Sequence, residues 1–303
     1  MKVALYILIT LLIYSQTNAQ SEGLINNGNA KIYYRTFGKG TPVLIINGGP
    51  GMNSDGFVEL AKKLSGNHQT IIYDQRGTGR SLLQAVNENT ISMDEMVQDI
   101  EVLRKHLKIS QWTVFGHSFG GMLASYYATI HPANINALIL SSSGGIDLEL
   151  RESAGSTILN KLTKEEQEAV NYWQAKIDAG DTSYAAKLER GMALAPAYVY
   201  DRKHIPIIAE RLTQSKMNIN NLVWQDLQKI KFNCAEKLAG FTKPVLIIQG
   251  KQDVVEEKIA LKAKKVLKNS TLLFIDRCVH YGWLDRPDVY YPAVEKFLDA
   301  VKE

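Results

Sequence analysis

The sequence predicts an α/β fold with a mostly parallel sheet flanked by helices, and three observations support this. Short β-rich segments end in loops rich in Gly, Asp or Ser, and amphipathic segments of helical periodicity lie between them. Several β-rich segments are continuously apolar, which is typical of strands covered on both faces of a parallel sheet. The alternation stops between residues 145 and 237, where only helical patterns occur.

Individual strands and helices follow from local patterns. Residues 93–108 repeat apolar side chains at helical spacing, and residues 287–302 begin with Pro287, which suits the first turn of a helix. Residues 122–131 form a further helix pattern. The predicted strands are 31–37, 42–48, 70–77, 112–118, 137–143, 244–250 and 271–276.

The region 145–237 is interpreted as a helical cap inserted into a core formed by residues 20–144 and 238–303. Because the insertion lies between two strand patterns, we expect it to cover the carboxyl edge of the sheet, where open α/β sheets bind ligands. Its helical patterns are 161–180, 183–195 and 202–212.

Residues 1–19 have the pattern of a secretory signal peptide. Lys2 precedes an uncharged apolar run, residues 3–14, and Ala19 occupies the small-residue position before a plausible cleavage site. As a helix the apolar run would span about 18 Å, too short for the ~30 Å hydrocarbon core of a bilayer. The sequence therefore predicts a secreted or periplasmic protein, cleaved after Ala19, with no stable membrane insertion afterwards.

The composition excludes several classes of function. Hydrophobic residues make up 45% and charged residues 22% of the 303 residues, as in ordinary globular proteins. A net charge of +4 is too small and too scattered to indicate a nucleic-acid partner. Cys234 and Cys278 form no CxxC pair and no HExxH motif occurs, so a zinc centre is not indicated. Export would permit a Cys234–Cys278 disulfide, and two buried free thiols are the alternative.

A serine lies on a sharp turn between a strand pattern and a helix pattern. The run Gly116-His117-Ser118-Phe119-Gly120 matches G-x-S-x-G in the context that this motif requires. Small residues two positions on either side of the serine avoid clashes with the neighbouring strand and helix. The sequence therefore predicts that Ser118 is a nucleophile.

A serine hydroxyl near neutral pH needs an adjacent base. His280 follows the last strand pattern, at the carboxyl edge of the sheet, and is the histidine expected to reach Ser118, whereas His117 is expected to pack. Asp253, three residues beyond the preceding strand pattern, is the expected partner of the imidazole, and Asp147 is the alternative. The order Ser118, Asp253, His280 is that of the α/β-hydrolase triad.

Acyl transfer also needs hydrogen-bond donors for the oxyanion. One should be the backbone N–H of Phe119, the residue after the nucleophile. The second should come from the glycine-rich loop 48–51, where the N–H of Gly49 is the expected donor because glycines let the backbone approach the substrate closely.

Several motifs of the core occur together. They are Asn47-Gly48-Gly49-Pro50-Gly51, DQRGTGRS at 74–81, GHSFGG at 116–121, and the segments GKQDVV and VHYGWLDRPD. In this combination the chain resembles the prolyl aminopeptidase (proline iminopeptidase) branch of the α/β-hydrolases, over residues 30–144 and 238–302. The resemblance implies a serine exopeptidase that uses no cofactor and no metal and removes an N-terminal residue, often proline, from peptides.

An aminopeptidase must pair the α-ammonium group of its substrate, because an unpaired charge in a closed cleft is costly. The candidate carboxylates of the cap are Glu152, Glu189, Glu210 and Asp226, and each has a solvated helix face as its alternative position. Trp224 is expected either to wall the pocket or to pack within the cap.

Two other functions fit the same residues. A carboxylesterase or lactonase for small esters would use the same triad beneath an apolar cap, so the substrate is expected to be a small peptide or an ester. A non-catalytic binding protein on this fold is disfavoured, because serine, aspartate and histidine are all present in the required order.

Overall fold

The computed structural model describes residues 20–150 and 157–301. The predicted signal peptide, residues 1–19, lies outside the described residues. None of the helices that are described has both the length and the hydrophobicity needed to cross a bilayer.

The strands that are described form one sheet, which is mostly parallel as predicted. In chain order they are β1 (Ser21–Asn27), β2 (Ala30–Phe37), β3 (Thr41–Ile46), β4 (His68–Tyr73), β5 (Leu82–Leu83), β6 (Trp112–His117), β7 (Ile135–Ser141), β8 (Val245–Gly250) and β9 (Ser270–Ile275). Their order across the sheet is β1-β2-β4-β3-β6-β7-β8-β9, with β5 paired to β2. Strands β3, β4 and β6 to β9 run parallel, whereas β2 pairs antiparallel with β1, β4 and β5.

Helices cover both faces of the sheet, which is why its central strands are apolar throughout. The helices are α1 (Val58–Leu64), α2 (Met93–His106), α3 (Phe119–Ile130), α4 (Lys164–Asp178), α5 (Tyr184–Leu194), α6 (Ile205–Thr213), α7 (Met217–Lys229), α8 (Ala235–Leu238), α9 (Glu257–Val266), α10 (Gly282–Asp285) and α11 (Pro287–Ala300). In β3, Leu44 and Ile46 join the core with α2 and α3, while Val43 and Ile45 join the core with α1 and α11.

The edge of the sheet contains a strand that the sequence analysis did not predict. Strand β1 pairs antiparallel with β2 through a turn at Gly28, which has a positive φ of 56°. Its residues are mostly exposed, with Leu24 52% exposed and Ile25 buried, so it lacks the continuous apolar run of a central strand. The Asn27-Gly28 pair between two β-rich segments is a hairpin signal that would have revealed it.

Helices α4 to α8 lie between β7 and β8, in the region predicted to be a cap. The three predicted helical patterns contain α4, α5 and all of α6 except Thr213, whereas α7 and α8 were not predicted. Helix α4 begins with a capping box, in which Thr163 and Glu166 each bind the other's backbone N–H. An isolated bridge between Asp147 and Asn233 joins the two ends of this region. The boundaries at 145 and 237 stay a prediction.

The two cysteines are buried free thiols, which corresponds to the second of the two alternatives. Burial is the main cause that raises the pKa of the Cys234 thiol, to about 12, and it likewise raises that of Cys278.

The loop after β4 is anchored by a fully buried arginine. The Nε and Nη2 atoms of Arg76 donate to the two carboxylate oxygens of Asp99 at 2.7 and 2.8 Å, and Nη1 donates to Glu95 and to the carbonyl oxygen of Thr90. Its main partners are therefore carboxylates of α2. This bidentate pair joins the loop to the helix that covers the sheet.

Removing this arginine should strongly destabilise the fold. In Arg76→Met the Asp99 carboxylate stays buried without its cation and keeps only the neutral Asn27 amide as a donor, and we expect a loss of about 3–5 kcal/mol in the free energy of unfolding measured in urea. Lys62→Met is the control, because it removes only the exposed Lys62–Glu59 pair, worth about 0–1 kcal/mol. Equal losses in the two variants would contradict this role of Arg76.

Candidate active site

Ser118 lies in the turn between β6 and α3, in a conformation that is strained for a residue with a side chain. Its φ is 55° and its ψ is −123°. A Cβ atom at Gly116 would lie 2.3 Å from the Gly120 oxygen, and one at Gly120 would lie 2.2 Å from the Ile46 oxygen. Only glycine fits at these two positions, as the sequence analysis anticipated. The Ser118 N–H donates to the Ser141 oxygen at 3.0 Å, which ties the turn to β7.

His280 and Asp253 form a buried hydrogen-bonded pair at the carboxyl edge of the sheet. The Nδ1 atom of His280 lies 2.7 Å from Oδ1 of Asp253, which also accepts the Val255 N–H at 3.1 Å. The backbone N–H of His280 donates to the Tyr198 oxygen at 3.1 Å. With its proton held on Nδ1 by the carboxylate, the ring presents Nε2 as the basic nitrogen.

Asp147, the alternative acid, has a different partner. Its Oδ2 atom lies 2.5 Å from Nζ of Lys262, which also donates to Glu149 at 2.8 Å. The structure therefore brings Asp253 to His280 and pairs Asp147 with a lysine.

His117 packs in the core behind the nucleophile, as expected. Its ring centroid lies 4.7 Å from that of His280 and 4.8 Å from that of Trp283, and its Nδ1 lies 3.5 Å from the Ser141 hydroxyl. Burial, followed by the charges of His280 and Arg211, lowers the pKa of His117 well below its ordinary value. His117 is therefore a neutral packing residue against the imidazole of His280.

Four of the predicted site residues line one cavity of about 510 Å³. Ser118, His280, Gly49 and Phe119 all line it, so the expected nucleophile, base and oxyanion donors share one space. Trp224 lines it too, which is the first of the two positions considered for this residue. The other lining residues are Pro50, Met52, Met122, Leu150, Ile158, Tyr198, Asn220, Asn221, Val254 and Val255.

Three of the four predicted cap carboxylates are not brought to this cavity. Glu189 is exposed, Glu210 is exposed and accepts a hydrogen bond from Tyr184, and Asp226 accepts the Met93 N–H at 2.8 Å. None of these three lines the cavity, and Glu152 lies outside the described residues. Within the part of the chain that the structure describes, the lining holds no aspartate or glutamate. A contact of these residues with substrate stays a prediction.

The glycine-rich loop is held by a polar residue whose role the sequence analysis did not assign. The Asn47 side-chain amide donates to the Gly48 oxygen at 3.0 Å and to the Met52 oxygen at 3.1 Å. The Asn47 backbone oxygen accepts from Gln75 at 2.9 Å. The position of Asn47 at the start of the NGGPG motif is the sequence feature that could have indicated this role.

A metal site needs several ligating side chains close together. Across residues 20–150 and 157–301, no group of three or more His, Cys, Asp or Glu side chains is placed to hold an ion.

Comparisons with known proteins find relatives in sequence and in fold. The proline iminopeptidase of Heyndrickxia coagulans is 25% identical over 292 residues, covering 93% of this chain and 99% of that protein. An alpha/beta fold family hydrolase from Bacillus anthracis superposes with a TM-score of 0.75 at 20% identity, over 93% of this chain and 99% of its own. Est816, described as an N-acyl homoserine lactone degrading enzyme, superposes with a TM-score of 0.67 at 20% identity, over 91% and 100%.

The predicted fold and the resemblance to the proline iminopeptidase branch are thus confirmed. The family model for the alpha/beta hydrolase fold matches residues 41–287, which is most of the sequence. The chain belongs to the α/β-hydrolase family.

Proposed function

We propose that this protein is an exported serine hydrolase that works by acyl transfer through Ser118, His280 and Asp253. The observation that carries the proposal is the 2.7 Å hydrogen bond between His280 and Asp253, next to a cavity lined by both His280 and Ser118. Export is supported by the signal-peptide pattern of residues 1–19.

The proposed reaction has two symmetrical halves. Oγ of Ser118 attacks the substrate carbonyl carbon while Nε2 of His280 takes the hydroxyl proton, and the carbonyl electron pair becomes an oxyanion facing the N–H groups of Gly49 and Phe119. The intermediate collapses, and the leaving amine or alkoxide takes the proton from His280. Water then attacks the acyl-enzyme by the same route, releasing the acid and restoring Ser118. Asp253 stabilises the imidazolium in both halves.

For the substrate, we propose the N-terminal residue of peptides, with proline preferred. Support comes from the proline iminopeptidase of Heyndrickxia coagulans, which aligns over 93% of this chain. It also comes from the match between the core motifs and that branch. In this proposal the region 145–237 is the cap that closes over the substrate.

A second candidate, a small ester or lactone, is favoured by the cavity itself. Apolar side chains such as Met122, Ile158 and Trp224 dominate its lining, and no carboxylate of the described residues faces it. A neutral ester needs no counter-ion, whereas a substrate ammonium enclosed without one would be costly. Est816, which has a similar fold, is described as a lactone-degrading enzyme.

Proline arylamide and a short-chain nitrophenyl ester should separate the two candidates. If the enzyme is an aminopeptidase, we expect arylamide cleavage that is lost when the proline nitrogen is acetylated. Ester cleavage without arylamide cleavage would assign the second candidate. Ser118→Ala is the control for both substrates. Turnover retained in this variant would contradict the assignment of Ser118 as the nucleophile and with it the proposed function.

The two aspartates should differ sharply in their effect on rate. Asp253→Asn keeps the shape but stabilises the wrong tautomer of His280, and we expect kcat to fall about 10⁴-fold. Asp147→Asn should leave kcat unchanged, because Asp147 binds Lys262. Both rates are measured on the same substrate. The opposite result would identify Asp147, after β7, as the acid that pairs with His280.

The exposed cap glutamates should be neutral toward catalysis. Glu189→Gln and Glu210→Gln remove carboxylates that do not line the cavity, so we expect kcat/KM for both test substrates to stay within about twofold of the unaltered enzyme. A larger loss for the arylamide alone would show that one of them reaches the substrate ammonium.

A further inference from the structure

A buried cation reaches from the cap into the loop beneath it. Arg211 lies on α6, is 4% exposed, and donates from Nη2 to the Gly48 oxygen at 2.9 Å. Nη1 lies 3.5 Å from the Asn53 oxygen, and the guanidinium stacks 4.8 Å above the centroid of the Phe57 ring. Among the described residues no carboxylate forms an ion pair with it. The charge is therefore compensated by carbonyl dipoles and an aromatic face rather than by a counter-ion.

The oxygen that Arg211 binds belongs to the peptide unit between Gly48 and Gly49, which also carries an expected oxyanion donor. The Gly48 carbonyl and the Gly49 N–H are the two ends of one amide, and this N–H is the expected oxyanion donor. A hydrogen bond to the oxygen of an amide withdraws electrons and makes its N–H a stronger donor. The bond from a guanidinium is charge-assisted, and the neutral amide of Asn47 donates to the same oxygen at 3.0 Å.

The same peptide lies directly against the nucleophile. A Cβ atom added to Gly48 would lie 2.6 Å from Cβ of Ser118, so the loop and the turn are in close contact. Gly49 lines the cavity beside Ser118. In the part of the chain described by the structure, the Gly49 N–H has no hydrogen-bond acceptor, which leaves it available to a ligand.

We propose that Arg211 is a positioning residue for acyl transfer. Its guanidinium orients and polarises the Gly48–Gly49 peptide so that the Gly49 N–H binds the oxyanion more strongly than the neutral carbonyl of the substrate. This inference rests on the proposed function. It makes α6 part of the catalytic apparatus, through a residue that need not touch the substrate.

The test compares Arg211→Met with a matched control, Lys216→Met. The Lys216 side chain also extends from the cap to a core carbonyl, that of Gly77 at 2.8 Å. Its contact with the glycine-rich loop is made by its backbone N–H, which donates to the Gly51 oxygen at 3.0 Å and is kept in the variant. Loss of a whole oxyanion donor costs about 10²–10³-fold in kcat, so we expect about a tenfold loss in Arg211→Met, where the donor is kept but less polarised. KM should change by less than about twofold, and Lys216→Met should leave both constants unchanged.

A transition-state analogue makes the test specific to the oxyanion. Oγ of Ser118 adds to the carbonyl carbon of a trifluoromethyl ketone matched to the substrate, the hydroxyl proton passes to Nε2 of His280, and the carbonyl oxygen becomes an oxyanion. We expect its affinity for Arg211→Met to fall by the same factor as kcat, while the carboxylic acid product binds as before. A residue that only stabilises the fold would lower the melting temperature without producing this parallel.

Two more variants keep the test decisive if Arg211→Met does not fold. Arg211→Lys keeps the charge and Arg211→Gln keeps only a neutral donor, so kcat and ketone affinity should decrease together from Lys to Gln. Unchanged kcat and ketone affinity in Arg211→Gln or Arg211→Met would overturn the inference, as would a rise in KM alone. Turnover retained in Ser118→Ala would instead refute the proposed function, so the two failures are distinguishable.

Discussion

The close approach between the turn after β6 and the neighbouring strand β3 is the constraint on which the site depends. The chain reverses direction there so tightly that the Gly120 backbone contacts the carbonyl of Ile46, and Ser118 is forced into a conformation that costs about 1–3 kcal/mol. A sheet that is buried on both faces can hold this strain. Its result is a hydroxyl exposed at the carboxyl edge, where the loops after β3, β8 and β9 converge.

The central sheet and the proposed triad could be predicted because their signals are local. Each buried strand is a continuous apolar run, and a strand-turn-helix context around G-x-S-x-G fixes where Ser118 must lie. Parallel strands then place the loops of Asp253 and His280 at the same edge. Strand β1 was missed because most of its residues are exposed. Helix α7 was missed although Ile219, Val223 and Leu227 recur at helical spacing in its sequence.

The role of Arg211 could not be predicted in this way. It is 163 residues from Gly48 in the chain, and nothing in its local sequence distinguishes it from a solvated arginine on a helix. The same limit applies to substrate recognition. The core motifs specify the chemistry at the carbonyl group, whereas part of the cavity wall, including Tyr198 and Trp224, comes from the region between β7 and β8, whose packing no short motif encodes. The apolar lining is therefore information that only the folded structure supplies.

The bridge between Asp147 and Asn233 brings the two ends of the insertion together, so the chain leaves and re-enters the core at one place. A segment with adjoining ends can be lengthened or exchanged without disturbing the order of the strands. Interpreted as the predicted cap, this region can change the side chains that line the cavity without altering the strands beneath. The contact between Arg211 and Gly48 sets a limit on such exchange, because a transplanted module must bring its own cation to the loop beneath.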